Sequence, residues 1–330
     1  MENVLQFVGA DLSKRTIDLV LHSSKHHLCI ENNTGGFKKM VSWFKQFHLN
    51  QSECIIVMEH TGLYSYCFEK FLFKKAIRFS KVNSVDIKYT IGVTRGKSDK
   101  VDAARIARYG AEKPERLKIQ TQISKALESL KMLNTSREKL VRTRAGLKAS
   151  VEEFRNIGMS DREPALRAQL KIIRSLDNEI KTLDGQIQTT IKQERELSKN
   201  YDLITSIKGI GPVVATNTLI KTGNFTRFSN GRKFACYCGI APFEHTSGSS
   251  IKGKTRINHM ADKDMKCLLD LAAKTAIQCE PEIKAFYEKR ISLGKSKMST
   301  INIVRNKLVG RMFAVVKRQT PYKSISFEAA

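Results

Sequence analysis

Between Ser124 and Ser198 the chain carries no glycine or proline except Gly146, Gly158, Pro164 and Gly185. Leu127, Leu130, Leu133, Leu140, Leu147 and Val151 recur at helical intervals. After a break from Gly158 to Pro164, a second series runs Leu166, Leu170, Ile173, Ile180, Leu183, Ile187 and Ile191. With so few breakers, this pattern predicts two long helices with a seam close to heptad spacing. An antiparallel hairpin within one chain and a coiled coil between chains would each bury that stripe. The helical middle, 121–199, divides the 330 residues into an N-terminal part, 1–120, and a C-terminal part, 200–330. Both flanks are long enough to bury a core.

The N-terminal part reads as α/β. Val4–Asp11 is an apolar run ending in an acid, Thr16–His22 partly alternates, and His27–Asn32 can be a third strand. Short links make these an antiparallel meander. Thr34 is placed as the cap of a helix bearing Phe37, Met40, Val41, Phe44 and Phe47. Cys54–Glu59 has the continuous apolar character of a buried parallel strand and also ends in an acid. A helix over Leu63–Phe73, a strand over Ala76–Val82 and a short helix over Val85–Ile91 complete a mixed sheet flanked by helices.

Asp99 and Asp102 stand at i and i+3 behind Ser98, a candidate N-cap, and so share one helical face. The bland reading is that both acids answer the helix dipole. Asp11 and Glu59 change that reading. If their strands are neighbours, both carboxylates reach one sheet edge, which the helix from Asp99 can close. Four converging carboxylates repel unless a divalent cation is present, and hard oxygen donors suit magnesium or manganese. Such ions serve phosphodiester transfer.

Lys and Arg number 58 against 32 Asp and Glu, a formal charge of +26. That excess calls for a polyanion, with nucleic acid first and an anionic membrane surface second. No apolar run is long enough to span a bilayer, and the first residues lack a signal-peptide pattern, so a reducing cytoplasm is the expected location. The seven cysteines form no CxxC pair and read as small buried hydrophobes. In the middle segment, Lys131, Arg137, Lys139, Arg142, Arg144 and Lys148 are candidates either for phosphate contact or for a solvated face.

The C-terminal part reads as mainly α. Leu203–Ala215 has the pattern of a helix-hairpin-helix turn, in which Gly209 and Gly211 would admit a phosphate to backbone N–H groups beside Lys208, with Lys221, Arg227, Arg232 and Lys233 following. Cys238–Lys254 reads as a small-residue loop between basic segments, with Lys252, Lys254 and Arg256 able to stabilise charge on phosphate. Lys307, Arg311 and Lys317 lie on a later amphipathic helix, available to phosphate, and the end from Thr320 is expected to be loosely held.

The stretches Val8–Lys14, Met58–Tyr64 and Lys97–Ala103 resemble the RuvC-like, RNase H-fold domain of the bridge-RNA-guided insertion-sequence transposases, a group that includes the Piv-type DNA invertases. Gly209–Pro212, Gly239–Pro242 and Ser247–Gly248 are similar to the C-terminal transposase domain of the same family. The resemblance implies a metal site at Asp11, Glu59, Asp99 and Asp102. It also implies that Ser247 is the nucleophile forming a covalent bond to DNA, with Thr246, Ser249 and Ser250 as near neighbours. A glycine usual in the family's next basic segment is absent from Ile257–Asp264, which leaves the start of the following helix open. The implied partners are donor and target DNA, a non-coding bridge RNA and further copies of the chain, as a dimer or tetramer that shares its active sites. Rival readings are a junction-resolving, metal-dependent nuclease that ignores Ser247, and a nucleic-acid-binding protein without catalysis.

Overall fold

The computed structural model describes residues 5–50, 53–92, 98–247, 251–257 and 260–324, with the side chains of 91, 244–247 and 251–256 left out. The chain divides into two compact units, 1–122 and 123–330.

The first unit is built on five strands: β1 (Gln6–Leu12), β2 (Thr16–Leu21), β3 (His27–Glu31), β4 (Cys54–Glu59) and β5 (Arg78–Val82). Their order across the sheet is β3-β2-β1-β4-β5, with β1 to β3 antiparallel and β4 and β5 parallel to β1. Helices α1 (Thr34–Gln46) and α2 (Tyr66–Lys74) cover one face, and α3 (Ser84–Ile91) and α4 (Asp99–Glu112) belong to the other. Alternation along β1 sorts its side chains: Val8, Ala10 and Leu12 join Phe37, Met40, Phe44 and Phe68, whereas Phe7 joins Val57, Ile106 and Tyr109. The expected meander and the parallel pairing of the Asp11 and Glu59 strands are both present. One cap differs from expectation. Asn33, not Thr34, closes α1, its side chain accepting from the Gly36 amide at 2.9 Å.

Gly9 explains how closely α4 sits on the sheet. A Cβ there would lie 2.0 Å from the Ala103 carbonyl oxygen and 2.3 Å from the Ala107 nitrogen. Only a glycine on β1 opposite alanines on α4 permits backbone to approach backbone in this way.

The second unit is led by α5 (Lys125–Asn156) and α6 (Pro164–Gln193). Arg137 Nε donates to Asp184 Oδ1 and Arg144 Nη1 to Asp177 Oδ1, each at 2.5 Å. One partner's number rises as the other's falls, so the helices run antiparallel. The two long helices thus meet within one chain, with Leu166, Ile173, Ile180 and Ile187 buried along the seam. These arginines are structural partners, and Arg142 pairs with Asp264 at 3.0 Å; three of the six candidate phosphate contacts in this segment are therefore already engaged.

Beyond the hairpin come α7 (Arg195–Thr205), α8 (Pro212–Thr222), α9 (Gly231–Tyr237), a two-stranded ribbon of β6 (Pro242–Ser247) and β7 (Ile251–Ile257), then α10 (Lys263–Cys279), α11 (Pro281–Ser292) and α12 (Lys297–Arg318). Ile204, Leu219, Phe234, Leu269, Val304 and Met312 are among its fully buried core. The start left open by the absent glycine is made by Asp262, whose side chain accepts from the Met265 amide at 2.9 Å and caps α10.

Three expectations are corrected. The end of the chain is tied down as far as it is described: the Tyr322 amide donates to Ser206 Oγ at 2.8 Å, and the Arg311 guanidinium lies 4.6 Å from the Tyr322 ring centroid. Two later basic residues are engaged, Arg311 by Glu282 at 2.6 Å and Lys307 over the Phe286 ring at 3.7 Å. Among the cysteines, Cys29, Cys67, Cys267 and Cys279 are exposed, not buried.

Candidate active site

Asp11 lies one step past the paired residues Ala10 and Met58, and Glu59 does the same on β4, so both carboxylates stand at one edge of the sheet. Their positions share the parity of Gly9 and Val57, which face α4. Asp99 and Asp102 occupy the first turn of α4, just ahead of Ala103, and Ser98 caps that turn by accepting from the Val101 amide at 3.3 Å. The packing of Gly9 against Ala103 therefore brings the start of α4 to the strand ends that carry Asp11 and Glu59.

The electrostatics register this convergence. Burial, followed by the charges of Asp99, Asp102, Glu59 and Asp18, pushes the Asp11 carboxyl up to about 6. Burial and the charge of Asp102 likewise raise Glu59, against a smaller opposing effect of Lys88. Arg105 Nη1 donates to Asp102 Oδ1 at 2.7 Å and so occupies one oxygen of the set. Among the described residues no three His, Cys, Asp or Glu side chains are grouped closely enough to hold a metal ion. The carboxylates are coupled by charge without forming a closed cage.

Asp18 is a member of this surface that the sequence reading missed. It is the cross-strand partner of Asp11, is 8% exposed, and its carboxylate lies 2.6 Å from His27 Nε2 while accepting from Cys29 Sγ at 3.7 Å. Alternation within Thr16–His22 sets Asp18 apart from the apolar Ile17 and Leu19, but it is the pairing of β1 with β2 that puts it beside Asp11.

Ser247 belongs to the second unit. The small-residue loop expected over Cys238–Lys254 is instead a β-hairpin: Ser247 is the last residue of β6 and pairs with Ile251. Gly248, Ser249 and Ser250 lie outside the described residues, as do the side chains of Thr246, Ser247, Lys252, Lys254 and Arg256. Backbone register places Lys252 opposite Thr246 and Arg256 opposite Phe243, so Lys252, Lys254 and Arg256 take alternate positions of β7. Alternation of polar and apolar residues was too weak here to reveal two strands.

The turn between α7 and α8 has the expected glycines, but one has a different use. Gly209 has φ +94°, and a Cβ would lie 2.7 Å from both the Ala272 carbonyl oxygen and Ala276 Cβ of α10. Its missing side chain admits another helix of the same unit. Gly211 precedes Pro212 at the start of α8 with nothing within 4 Å of its Cβ position, and Lys208 is exposed. Of the basic residues that follow, Lys221 is engaged by Asp262 at 2.6 Å, and Arg227 Nη1 donates to the Lys221 carbonyl oxygen at 3.1 Å.

A transposase family typed DEDD and IS110 matches residues 8–154, and the Transposase IS116/IS110/IS902 family matches residues 201–288. The pilin gene-inverting protein of Moraxella bovis is 27% identical over 333 residues, covering 96% of this chain and 97% of its own. A probable family 20 transposase of Pseudomonas aeruginosa is 24% identical over 198 residues, covering 56% of each chain. No described helix is long and apolar enough to cross a membrane.

Proposed function

The chain belongs to the IS110/IS116 family of transposases and is an enzyme of DNA transposition and recombination; from that premise we propose that Ser247 attacks a DNA phosphodiester beside a cation held by Asp11, Glu59, Asp99 and Asp102. The observation that carries this reading is the convergence of four acids from β1, β4 and α4, whose charges add to burial in pushing Asp11 up to about 6. Like charges in one half-buried place are unfavourable unless a cation joins them, and oxygen donors suit magnesium or manganese. The family label DEDD agrees with the order Asp11, Glu59, Asp99, Asp102. When bound, such an ion stabilises charge on the oxygens around phosphorus.

The chain's own part is nucleophilic. Ser247 Oγ forms a bond to phosphorus and loses its proton, one bridging P–O bond breaks, and the departing deoxyribose oxygen takes up a proton. The energy of the phosphodiester is kept in a phosphoserine ester, and a hydroxyl of a second strand reverses the step and rejoins DNA. Lys252, Lys254 and Arg256 supply positive charge on the strand after the serine. Lys208, Gly211 and the start of α8 hold backbone phosphate as a helix-hairpin-helix would, with Gly209 shaping the turn.

The strand order of the first unit supports an RNase H-like, RuvC-like fold for 1–120, with a coiled-coil-like linker at 121–199 and a serine-bearing domain at 200–330. Donor and target DNA are the substrates. A non-coding bridge RNA supplies sequence specificity by pairing, which suits a chain with a charge of +26. The working assembly is a dimer or tetramer, in the bacterial cytoplasm at the nucleoid, in which the serine of one copy meets the acids of another.

The test is a denaturing gel on end-labelled element DNA with magnesium. Wild type should give a covalent protein–DNA adduct, Ser247→Ala none, and Asp102→Asn a yield reduced about a hundredfold or more. Strand cleavage by Ser247→Ala without an adduct would move the assignment to a hydrolytic junction nuclease.

A further inference from the structure

The ribbon that ends at Ser247 is two strands wide, and a lone two-stranded hairpin is at best marginally stable by itself. Its tip lies five residues from its first residue, Pro242, a reach of roughly 16 Å at strand rise. Any tilt at the root is multiplied along that reach, and a tilt of about 10° would carry the tip almost 3 Å. Attack requires reacting atoms about 3–3.5 Å apart, so the root must hold the direction of the tip.

The chain is fastened just before the ribbon, at Ile240, and again five residues beyond β7, at Asp262. Where the chain leaves α9, Gly239 takes φ +64°, and the amides of Ile240 and Ala241 donate to the Ala235 carbonyl oxygen at 3.0 and 3.3 Å. The Ile240 carbonyl oxygen then accepts from two α12 side chains, Asn302 Nδ2 at 2.8 Å and Asn306 Nδ2 at 3.0 Å. On the returning leg, the Asp262 amide donates to the Tyr237 carbonyl oxygen at 3.0 Å. The Asp262 carboxylate accepts from the Tyr237 hydroxyl at 2.8 Å and pairs with Lys221 Nζ at 2.6 Å. Groups of α8, α9 and α12, with the cap of α10, thus hold the chain before and after one short ribbon. Burial alone would raise Asp262, but hydrogen bonds from Lys221, the Met265 amide and Tyr237 outweigh it and hold the carboxyl below its usual range.

We propose that Tyr237, Lys221, Asp262, Asn302 and Asn306 form a clasp that aims the ribbon, and that they are positioning residues for Ser247. This rests on the reading of Ser247 as the nucleophile. None of the five is assigned contact with the reacting phosphate. Each acts through the direction of the strands.

The experiment compares single-turnover adduct formation with DNA affinity in the full-length protein, using end-labelled element DNA and magnesium. Tyr237→Phe removes one hydroxyl and leaves the ring among Phe228 and Phe234. It should lower the adduct rate about tenfold or more, with DNA affinity within about threefold of wild type and a melting temperature within a few degrees. Asn302→Ala/Asn306→Ala, which frees the other leg, should do the same to a greater degree. Lys221→Met should also slow attachment, and Lys221→Arg, which restores the ion pair, should recover most of the rate. Ser247→Ala runs in parallel. An adduct from Ser247→Ala would overturn the nucleophile and this proposal together. Loss of the adduct in Ser247→Ala, with wild-type rates in both Tyr237→Phe and the asparagine pair, would overturn the clasp alone. A fall in rate matched by an equal fall in affinity would also overturn it.

Discussion

The two places that bear the proposed chemistry are built on opposite plans. The acidic edge belongs to the ends of β1 and β4 in a five-stranded sheet, closed by a helix whose backbone touches the backbone of β1 at Gly9. The serine belongs to the end of a two-stranded ribbon whose root is fastened by hydrogen bonds. In the first, position is fixed by packing on two faces; in the second, by a few hydrogen bonds acting at a distance. A cation site gains from rigidity, because its charges must be held together against repulsion. A nucleophile at the end of a ribbon depends instead on the few groups at its root that set its direction.

Substitutions should separate the plans, with the largest effect at the tip. Ser247→Ala should reduce adduct formation at least about a thousandfold while leaving the melting temperature unchanged, since the hydroxyl is needed only for chemistry. Gly9→Ala should do the reverse. A methyl 2.0 Å from the Ala103 oxygen must push α4 away, at a cost of about 3 kcal/mol or more by urea unfolding, and activity should fall only as a consequence. A Gly9→Ala protein as stable as wild type would remove the packing account of the acidic edge.

A smaller effect follows from Asp11. Its folded-state carboxyl titrates at about 6, above the ordinary value of 3.8, so between those values the folded chain keeps a proton that the unfolded chain releases. Without divalent cations, stability should therefore fall as pH rises from about 4 to about 6 and level off above that. After allowance for solvent at this half-exposed group, Asp11 contributes about 1 kcal/mol to the fall. Asp11→Asn should flatten that part of the profile. Smallest of all, magnesium should raise the melting temperature by a few degrees at pH 7.5 and by less at pH 5, where Asp11 holds its proton; equal shifts at both would detach the cation from this carboxylate.

What could be seen in the sequence follows the same division. Continuous apolar runs ending in Asp11 and Glu59, and the Ser98 cap before Asp99 and Asp102, are local signals of regular elements, and they located the acidic edge. Asp18 escaped because its importance lies in cross-strand register, which joins residues 11 and 18 only once the strands are paired. The ribbon escaped because Pro242–Ser247 and Ile251–Ile257 carry no clear polar–apolar period in their sequence. The use of Gly209 could not be read either: a glycine that admits α10 and one that admits a phosphate look alike until the neighbouring helix is in place. Arg137 and Arg144 were ambiguous for a related reason, their carboxylate partners lying 47 and 33 residues away along the chain.

The seam of α5 and α6 sets a rule for how that hairpin can change in length. Leu166, Ile173, Ile180 and Ile187 are buried at intervals of seven residues, and the ion pairs Arg137–Asp184 and Arg144–Asp177 step by seven as well. Seven residues inserted into each helix, facing one another, would lengthen the arm by about 10 Å and keep the seam in phase. Two or five would swing the buried stripe by about 150° beyond the insertion and turn it outward, so this part of the chain grows or shrinks most easily in whole strides.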